Sequence, residues 1–212
     1  MTTEQEQFWS GSFGPEYLER NDFTTKSFDE LYRERFGITR SQMNKEFLSN
    51  LPVNSVLEVG CNIGIQLSFL SEAGYQNLHG IEIFPDAVAE AKKRLPEAHI
   101  IEGSALALPY EDSQFDLVFT SGVLIHIHPD DLPTVMREIH RVSSRYIWGL
   151  EYYAPAHQNI VYRGNENRLW KGPFAHLYQE LFPDLTLVKE KRYPYQQEDN
   201  VDTMFLLEKP SS

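Results

Sequence analysis

Apolar and polar positions along the chain change rhythm near residue 50. Before that point the sequence is polar, aromatic and mostly helix-compatible. In the segment from Ser41, residues Met43, Phe47, Leu48 and Leu51 fall on one helical face, with Ser41 as the expected N-cap. Beyond it, short apolar runs alternate with stretches of helical period. "SVLEVG" reads as a buried strand and "IGIQLSFLSEAG" as a helix ended by Gly74. "NLHGIEI" is a second strand. "PDAVAEAKKRL" is a helix with proline in its first turn and Asp86 near its positive end. "AHIIEGS" and "QFDLVFTS" are the third and fourth strands. "DDLPTVMREIHRV" sets Leu132, Val135, Met136, Ile139 and Val142 at helical spacing, and "SRYIWGLEYY" is the fifth strand. Two further strand-like runs, "LTLVKEKRY" and "TMFLLEK", close the chain.

Strands alternating with helices predict an α/β fold, a doubly wound and mostly parallel seven-stranded sheet covered on both faces. The pattern divides one domain, 1–212, into an N-terminal helical part (1–50), a ligand-binding core (51–150), an insertion between strands five and six (151–183) and closing strands (184–212). The insertion is too long for an ordinary connection, so it is read as functional or as an extra helical layer.

Ligands of such sheets sit over the carboxyl ends of the strands, where strand order reverses. The first turn there is Gly60-Cys61-Asn62-Ile63-Gly64. A dinucleotide turn requires G-x-G-x-x-G, and Asn62 replaces its middle glycine, which disfavours a nicotinamide oxidoreductase. A ligand without a pyrophosphate does not need that glycine. Glu82 ends the second strand, 22 residues after Gly60, where a carboxylate can accept from both hydroxyls of a ribose. Taken singly, these features are equally those of a tight corner and a solvated strand end.

Together, "VLEVGCNIG", "GIEIFPDAVAEAKKRL" and "IIEGSALALPYEDSQFDLVFTSGVLIHI" resemble, in order and spacing, the four motifs of the class I S-adenosylmethionine-dependent methyltransferases. The resemblance implies a Rossmann-like methyltransferase fold with S-adenosyl-L-methionine as cofactor. It implies that Gly60, Cys61, Asn62 and Gly64 line the donor's methionine and ribose, with Glu58 beneath the turn. Glu82 would take the ribose and Ile83 would flank the adenine. Gly103, Ser104 and Ala105 would edge the adenine, and Thr120 and Ser121 would approach the sulfonium. Many relatives carry aspartate where this chain has Ser104, so a contact to the adenine amine is left to a hydroxyl or a backbone group. A narrower likeness covers nearly the whole chain. "EQEQFWSGSFGPEYLERN", "LEVGCNIGIQL", "YRGNENRLWKGPFAHLYQELFPDLTLV" and "DNVDTMFLLEK" resemble the pseudaminic acid biosynthesis-associated methylase family. Small phosphonate O-methyltransferases have a similar plan.

The net charge of −12 argues against non-specific nucleic-acid binding, which needs a basic face. One cysteine excludes an internal disulfide and fits a reducing compartment. "MTTEQEQFWSG" lacks the features of a signal peptide, and no apolar run reaches membrane-spanning length. The expectation is a cytoplasmic monomer or homodimer.

Three groups of side chains carry the expected chemistry. His126, just after the fourth strand, is the candidate general base, its imidazole expected near its ordinary pKa. His126-x-His128 with Asp130 and Asp131 also offers metal-ligand types, but methyl transfer needs no metal and none is assigned. In the insertion, Arg163, Arg168 and Lys171 form a basic group that suits an anionic acceptor, with Tyr153, Tyr162 and His128 as further substrate contacts. The N-terminal "FWSGSFGPEYLERN" is read as a lid in which Trp9, Phe13 and Tyr17 shield the sulfonium, with Arg20 or Arg40 pairing the donor's carboxylate. The expected function is methyl transfer to a small anionic metabolite at oxygen, in a nonulosonic-acid or other sugar-acid pathway. A phosphonate O-methyltransferase and a non-catalytic S-adenosylmethionine-binding protein are the alternatives.

Overall fold

The computed structural model of the chain describes residues 2–11, 13–20 and 23–210, with the side chains of residues 16, 17, 19 and 20 excepted. Four helices come first: α1 (Glu4–Ser10), α2 (Phe13–Arg20), α3 (Thr25–Phe36) and α4 (Arg40–Leu48). The α/β core follows as β1 (Val56–Val59), α5 (Ile65–Glu72), β2 (Leu78–Glu82), α6 (Pro85–Arg94), β3 (His99–Glu102), β4 (Phe115–Ser121), α7 (Leu132–Val142) and β5 (Ser143–Tyr152). A hairpin, β6 (Gln158–Tyr162) and β7 (Asn165–Lys171), precedes α8 (Phe174–Leu181), β8 (Thr186–Pro194) and β9 (Val201–Glu208).

The main sheet has seven strands in the order β3-β2-β1-β4-β5-β9-β8. Strands β1 to β5 run parallel, while β9 is antiparallel to both β5 and β8. Strand order reverses between β1 and β4, so the crevice opens there. Alternate residues of the central strands serve opposite faces. Leu57, Val118 and Ile147 pack with Val135, Met136 and Ile139 of α7 and Tyr178 of α8. Val56, Leu117 and Phe119 pack with Met43 of α4, Leu67 of α5 and Ala91 of α6. Burial on both faces is why these strands read as continuous apolar runs rather than alternating ones.

Two expectations change. The N-cap of α4 is Thr39, not Ser41: Thr39 Oγ1 accepts from Gln42 N–H at 3.1 Å while Gln42 Oε1 accepts from Thr39 N–H at 3.1 Å. That reciprocal pair satisfies two orphan donors, which Ser41 cannot do. Ser41 instead donates through N–H and Oγ to the carboxylate of Asp29, at 2.8 and 2.6 Å. The insertion is a β-hairpin followed by a helix, not a helical layer alone. Its two-residue turn, Arg163-Gly164, has φ of 50° and 80°, the positive values that match the twist of a tight hairpin.

Candidate functional site

The first turn owes its shape to left-handed backbone. Gly60, Asn62 and Gly64 have φ of 73°, 46° and 76°. Asparagine tolerates that region better than most residues, so Asn62 keeps the turn without a middle glycine. A Cβ on Gly60 would lie 2.6 Å from Val123 Cγ2, so that glycine is also required by close approach. Glu82 closes the turn from the neighbouring strand. Its Oε2 accepts from Asn62 N–H at 2.9 Å, and its Oε1 accepts from the N–H groups of Ile83 and Phe84 at 2.8 and 3.0 Å. Burial raises the Glu82 pKa, opposed by those three N–H donors. An ionised carboxylate has about four acceptor positions, so capacity remains for a hydroxyl donor.

A cavity lies over the carboxyl ends of β1, β2, β3 and β4. Gly60, Asn62, Glu82, Ile83, Gly103, Ser104, Ala105 and Ser121 line it, with Trp9, His126 and His128 on the other side. All eleven were expected at the site. Glu58, Cys61, Gly64 and Thr120 lie behind it. Glu58 is buried beneath the turn, and burial pushes its pKa well up. Cys61 is buried with a raised thiol pKa, its Sγ 2.7 Å from where a Cβ on Gly80 would be. Thr120 holds Glu151 through its side chain. Tyr17 lies outside the described residues as far as its side chain is concerned. Phe13 stacks on Phe8 at 4.4 Å and contacts Tyr162 at 5.8 Å, above the cavity wall rather than in it.

His126 sits on a short 3₁₀ turn, Leu124–His126. Its Nδ1 is 2.8 Å from the carbonyl oxygen of Arg168. A carbonyl only accepts, so Nδ1 carries the proton and Nε2 presents a lone pair. Trp9 and Tyr162 pack around the ring, at 4.5 and 5.3 Å between centroids. Burial lowers its pKa to about 4, against a small opposing effect of the Arg168 carbonyl. The imidazole is therefore neutral at pH 7 and a weaker base than an ordinary histidine, which corrects the expectation of a pKa near neutrality. Glu151, at the end of β5, braces this turn: Oε1 accepts from Val123 N–H at 3.2 Å and Oε2 from Ile125 N–H at 3.4 Å. Burial pushes the Glu151 carboxyl up to about 7.

The basic group of the insertion does not line the cavity. Arg163 stands exposed at the hairpin tip, over the Tyr162 ring. Arg168 Nη1 donates to Gln5 Oε1 at 2.6 Å, and its guanidinium lies 5.0 Å from the Phe8 ring centroid. Gln5 in turn donates through Nε2 to Asn167 O at 2.8 Å. Lys171 donates to Asn200 Oδ1 at 2.6 Å, and Tyr153 lies under Arg192 at 3.9 Å. The hairpin and α1 thus form a joined cover over His126. His128 faces Trp170, and among the described residues no group of three or more metal-binding side chains occurs.

Residues that sequence reasoning missed include Thr3, Gln5 and Glu6 of the α1 region, and Leu18 and Phe84, which also line the cavity, as does Asp131, weighed earlier only as a metal-ligand type. The T-x-x-E signature of Thr3 and Glu6 marked a helix start but not what that helix covers. Deeper in, Arg40 is fully buried. It bonds Asn44 Oδ1 at 2.8 Å, and its Nη2 has no hydrogen-bond partner among the described residues. Glu58 Oε2, Asn62 Oδ1 and Gln66 Oε1 are buried and unpaired as well. The positive charge of Arg40 partly offsets the burial that raises the Glu58 pKa behind the turn. No helix of the described residues is long and apolar enough to cross a membrane.

Residues 57–145 match the family described as a methyltransferase domain. An uncharacterized methyltransferase of Synechocystis sp. is 33% identical over 101 residues, 48% of this chain and 47% of that protein. An uncharacterized protein of Haemophilus influenzae is 27% identical over 93 residues, 41% of this chain and 37% of that protein. The match thus spans about half, or less, of the length of these curated relatives. Among solved structures, the 1,6-didemethyltoxoflavin-N1-methyltransferase of Burkholderia thailandensis, with bound 1,6-didemethyltoxoflavin and S-adenosylhomocysteine, is similar. It has a TM-score of 0.70 and 17% identity over 98% of this chain and 87% of that chain. Magnesium protoporphyrin IX methyltransferase of Synechocystis, with bound S-adenosylhomocysteine, gives 0.68 and 14% over 97% and 98%. The [4+2]-cyclase SpnF gives 0.66 and 15% over 81% of each chain. At these identities the structural likenesses establish the fold.

Proposed function

We propose that this chain, whose residues 57–145 match the methyltransferase-domain family, is a class I S-adenosylmethionine-dependent methyltransferase that transfers a methyl group from S-adenosylmethionine to a small molecule. The observation that carries the reading is the convergence of Gly60 and Asn62 of the first turn, Glu82 and His126 on one cavity. Fold alone would not suffice, because a cyclase shares it.

The residues present fit the donor. The turn presents Gly60 and Asn62 to the cavity, and Glu82 keeps acceptor capacity for a ribose hydroxyl. Asn62, which lines the cavity, has an unpaired Oδ1 that suits the ammonium of the donor's methionine tail, while Arg40, Glu58 and Gln66 keep unpaired polar atoms buried behind the turn. When bound, S-adenosylmethionine supplies a methyl carbon activated by a sulfonium. Trp9 and Tyr162 with the His126 ring then exclude water from the cavity, and exclusion and positioning provide much of the rate. The neutral His126 Nε2 accepts a hydrogen bond from the O–H or N–H of an acceptor and aims its lone pair. Its low pKa suits it to orienting the nucleophile more than to carrying off the proton.

Two acceptor classes follow. An acidic metabolite of a sugar-acid or phosphonate pathway, methylated at oxygen, is supported by the narrower resemblance of the chain ends to pseudaminic acid-associated methylases. An uncharged acceptor is favoured by the cavity wall, where Glu6, Glu82 and Asp131 are the charged side chains and no Lys or Arg occurs among the described lining residues.

Isothermal titration tests the donor. Wild-type protein is expected to bind S-adenosylhomocysteine, and Glu82→Ala to weaken it on the order of a hundredfold, since a hydrogen bond to a charged group is lost and the N–H groups of Asn62, Ile83 and Phe84 that shape the turn lose their acceptor. A folded wild-type protein that does not bind would overturn the reading. Radiolabelled methyl transfer to sugar acids, phosphonates and uncharged heteroaromatics then separates the two acceptor classes. Donor binding without transfer to any of them would support the non-catalytic alternative.

A further inference from the structure

Strand order β3-β2-β1 places the Ser104 loop beside the Glu82 loop, which lies beside the glycine turn. With a ribose held at Glu82, an attached adenine lies towards β3, against Ile83 and residues 103–106. Ser104 is the polar side chain there, and it is already engaged. Its Oγ accepts from Leu106 N–H at 3.0 Å and donates to Glu6 Oε1 at 2.5 Å. The Glu6 carboxylate retains unused acceptor positions, and it lines the cavity. Its other oxygen accepts from Thr3 N–H at 2.6 Å, so the α1 capping box fixes the side chain in place.

We propose that Glu6 of the N-terminal helix reads the exocyclic amine of the donor's adenine, so that an occupied donor site fastens α1 onto the core. The inference rests on the donor reading above. An amine donates and a carboxylate accepts, whereas a 6-oxo purine presents an acceptor at the same edge and is repelled. The consequence reaches the reacting end of the cavity. One residue from Glu6, buried Gln5 exchanges hydrogen bonds with Asn167 and Arg168, whose carbonyl holds His126. Donor recognition and orientation of the imidazole therefore meet on a single short helix.

The test compares S-adenosylhomocysteine with S-inosylhomocysteine, which has a 6-oxo group in place of the amine, by isothermal titration of the full chain. Wild type is expected to prefer the adenine compound on the order of tenfold or more, the scale of one charge-assisted hydrogen bond. Glu6→Gln preserves the capping box, because its oxygen serves the same position, and turns an NH2 donor where the second carboxylate oxygen stood. It is expected to abolish or reverse the preference for the adenine compound with an unchanged melting temperature. Glu6→Ala is expected to weaken the adenine compound alone. If S-adenosylhomocysteine binds but the preference is identical in all three proteins, Glu6 does not read the base and this proposal falls alone. If wild type binds neither compound, the donor reading falls and takes this one with it.

Discussion

The floor and the cover of the cavity are built by different means. The floor is backbone: left-handed residues at the first turn, and N–H groups of Asn62, Ile83 and Phe84 gathered on one carboxylate from the adjacent strand. The cover is side chains that meet from far apart in the sequence, with Gln5 on Asn167 and Arg168, and Glu6 on Ser104. Backbone shape is inseparable from the fold. A latch of a few hydrogen bonds, each worth about 1 kcal/mol, can be opened without unfolding anything. Changes in the floor should cost stability and donor affinity together, and changes in the cover away from Glu6, which faces the donor's base, should cost turnover.

The largest effect is expected at Gly60→Val. It combines a left-handed φ, which costs an L-residue about 1–2 kcal/mol, with a direct clash against Val123. Donor affinity should fall on the order of a hundredfold or more, with a total destabilisation of roughly 3 kcal/mol by urea titration. Stability near wild type would show that the floor is softer than argued.

Glu151 joins the two regions, because it holds the turn that carries His126 from below. Its folded pKa of about 7 lies above that of a free carboxyl. Burial as a neutral acid is therefore a stabilising contribution complete below pH 4.5, and lost progressively as pH rises through about 7. Glu151→Gln removes that titration. Its stability relative to wild type should increase between pH 5 and 8, by roughly 3 kcal/mol over the whole range. Parallel pH profiles of the two proteins would mean that the carboxyl stays ionised.

The smallest effect belongs to the cover. Arg168→Met removes the bond to Gln5 while leaving the main-chain carbonyl on His126. Turnover should drop about tenfold, at about 1 kcal/mol of stability, with adenosylhomocysteine affinity changed no more than about threefold. An equal loss in affinity and turnover would merge cover and floor into one unit.

The same division explains what the sequence disclosed. Gly60, Gly64 and Glu82 are legible because their roles follow from local conformation and strand order, both of which the apolar pattern announces. Thr39 was legible too, in its T-x-x-Q spacing, but Ser41 offered a competing cap and only the reciprocal bond with Gln42 decides between them. The hairpin was hidden because Arg163 occupies a positive-φ turn position where asparagine or glycine is the usual signal. Neither the Glu6 contact with Ser104 nor the depressed pKa of His126 has a local signature. The first needs α1 to arrive from the other end of the chain, and the second needs Trp9 and Tyr162 to surround the ring.

The bond from His126 Nδ1 goes to a peptide carbonyl rather than to a side chain. Every amino acid brings that same oxygen. Outward positions of the hairpin such as Val161, 63% exposed, and the exposed Arg163 can therefore diversify without disturbing the tautomer of the imidazole. The tip of the hairpin can vary in sequence while the backbone bond that holds the imidazole stays the same.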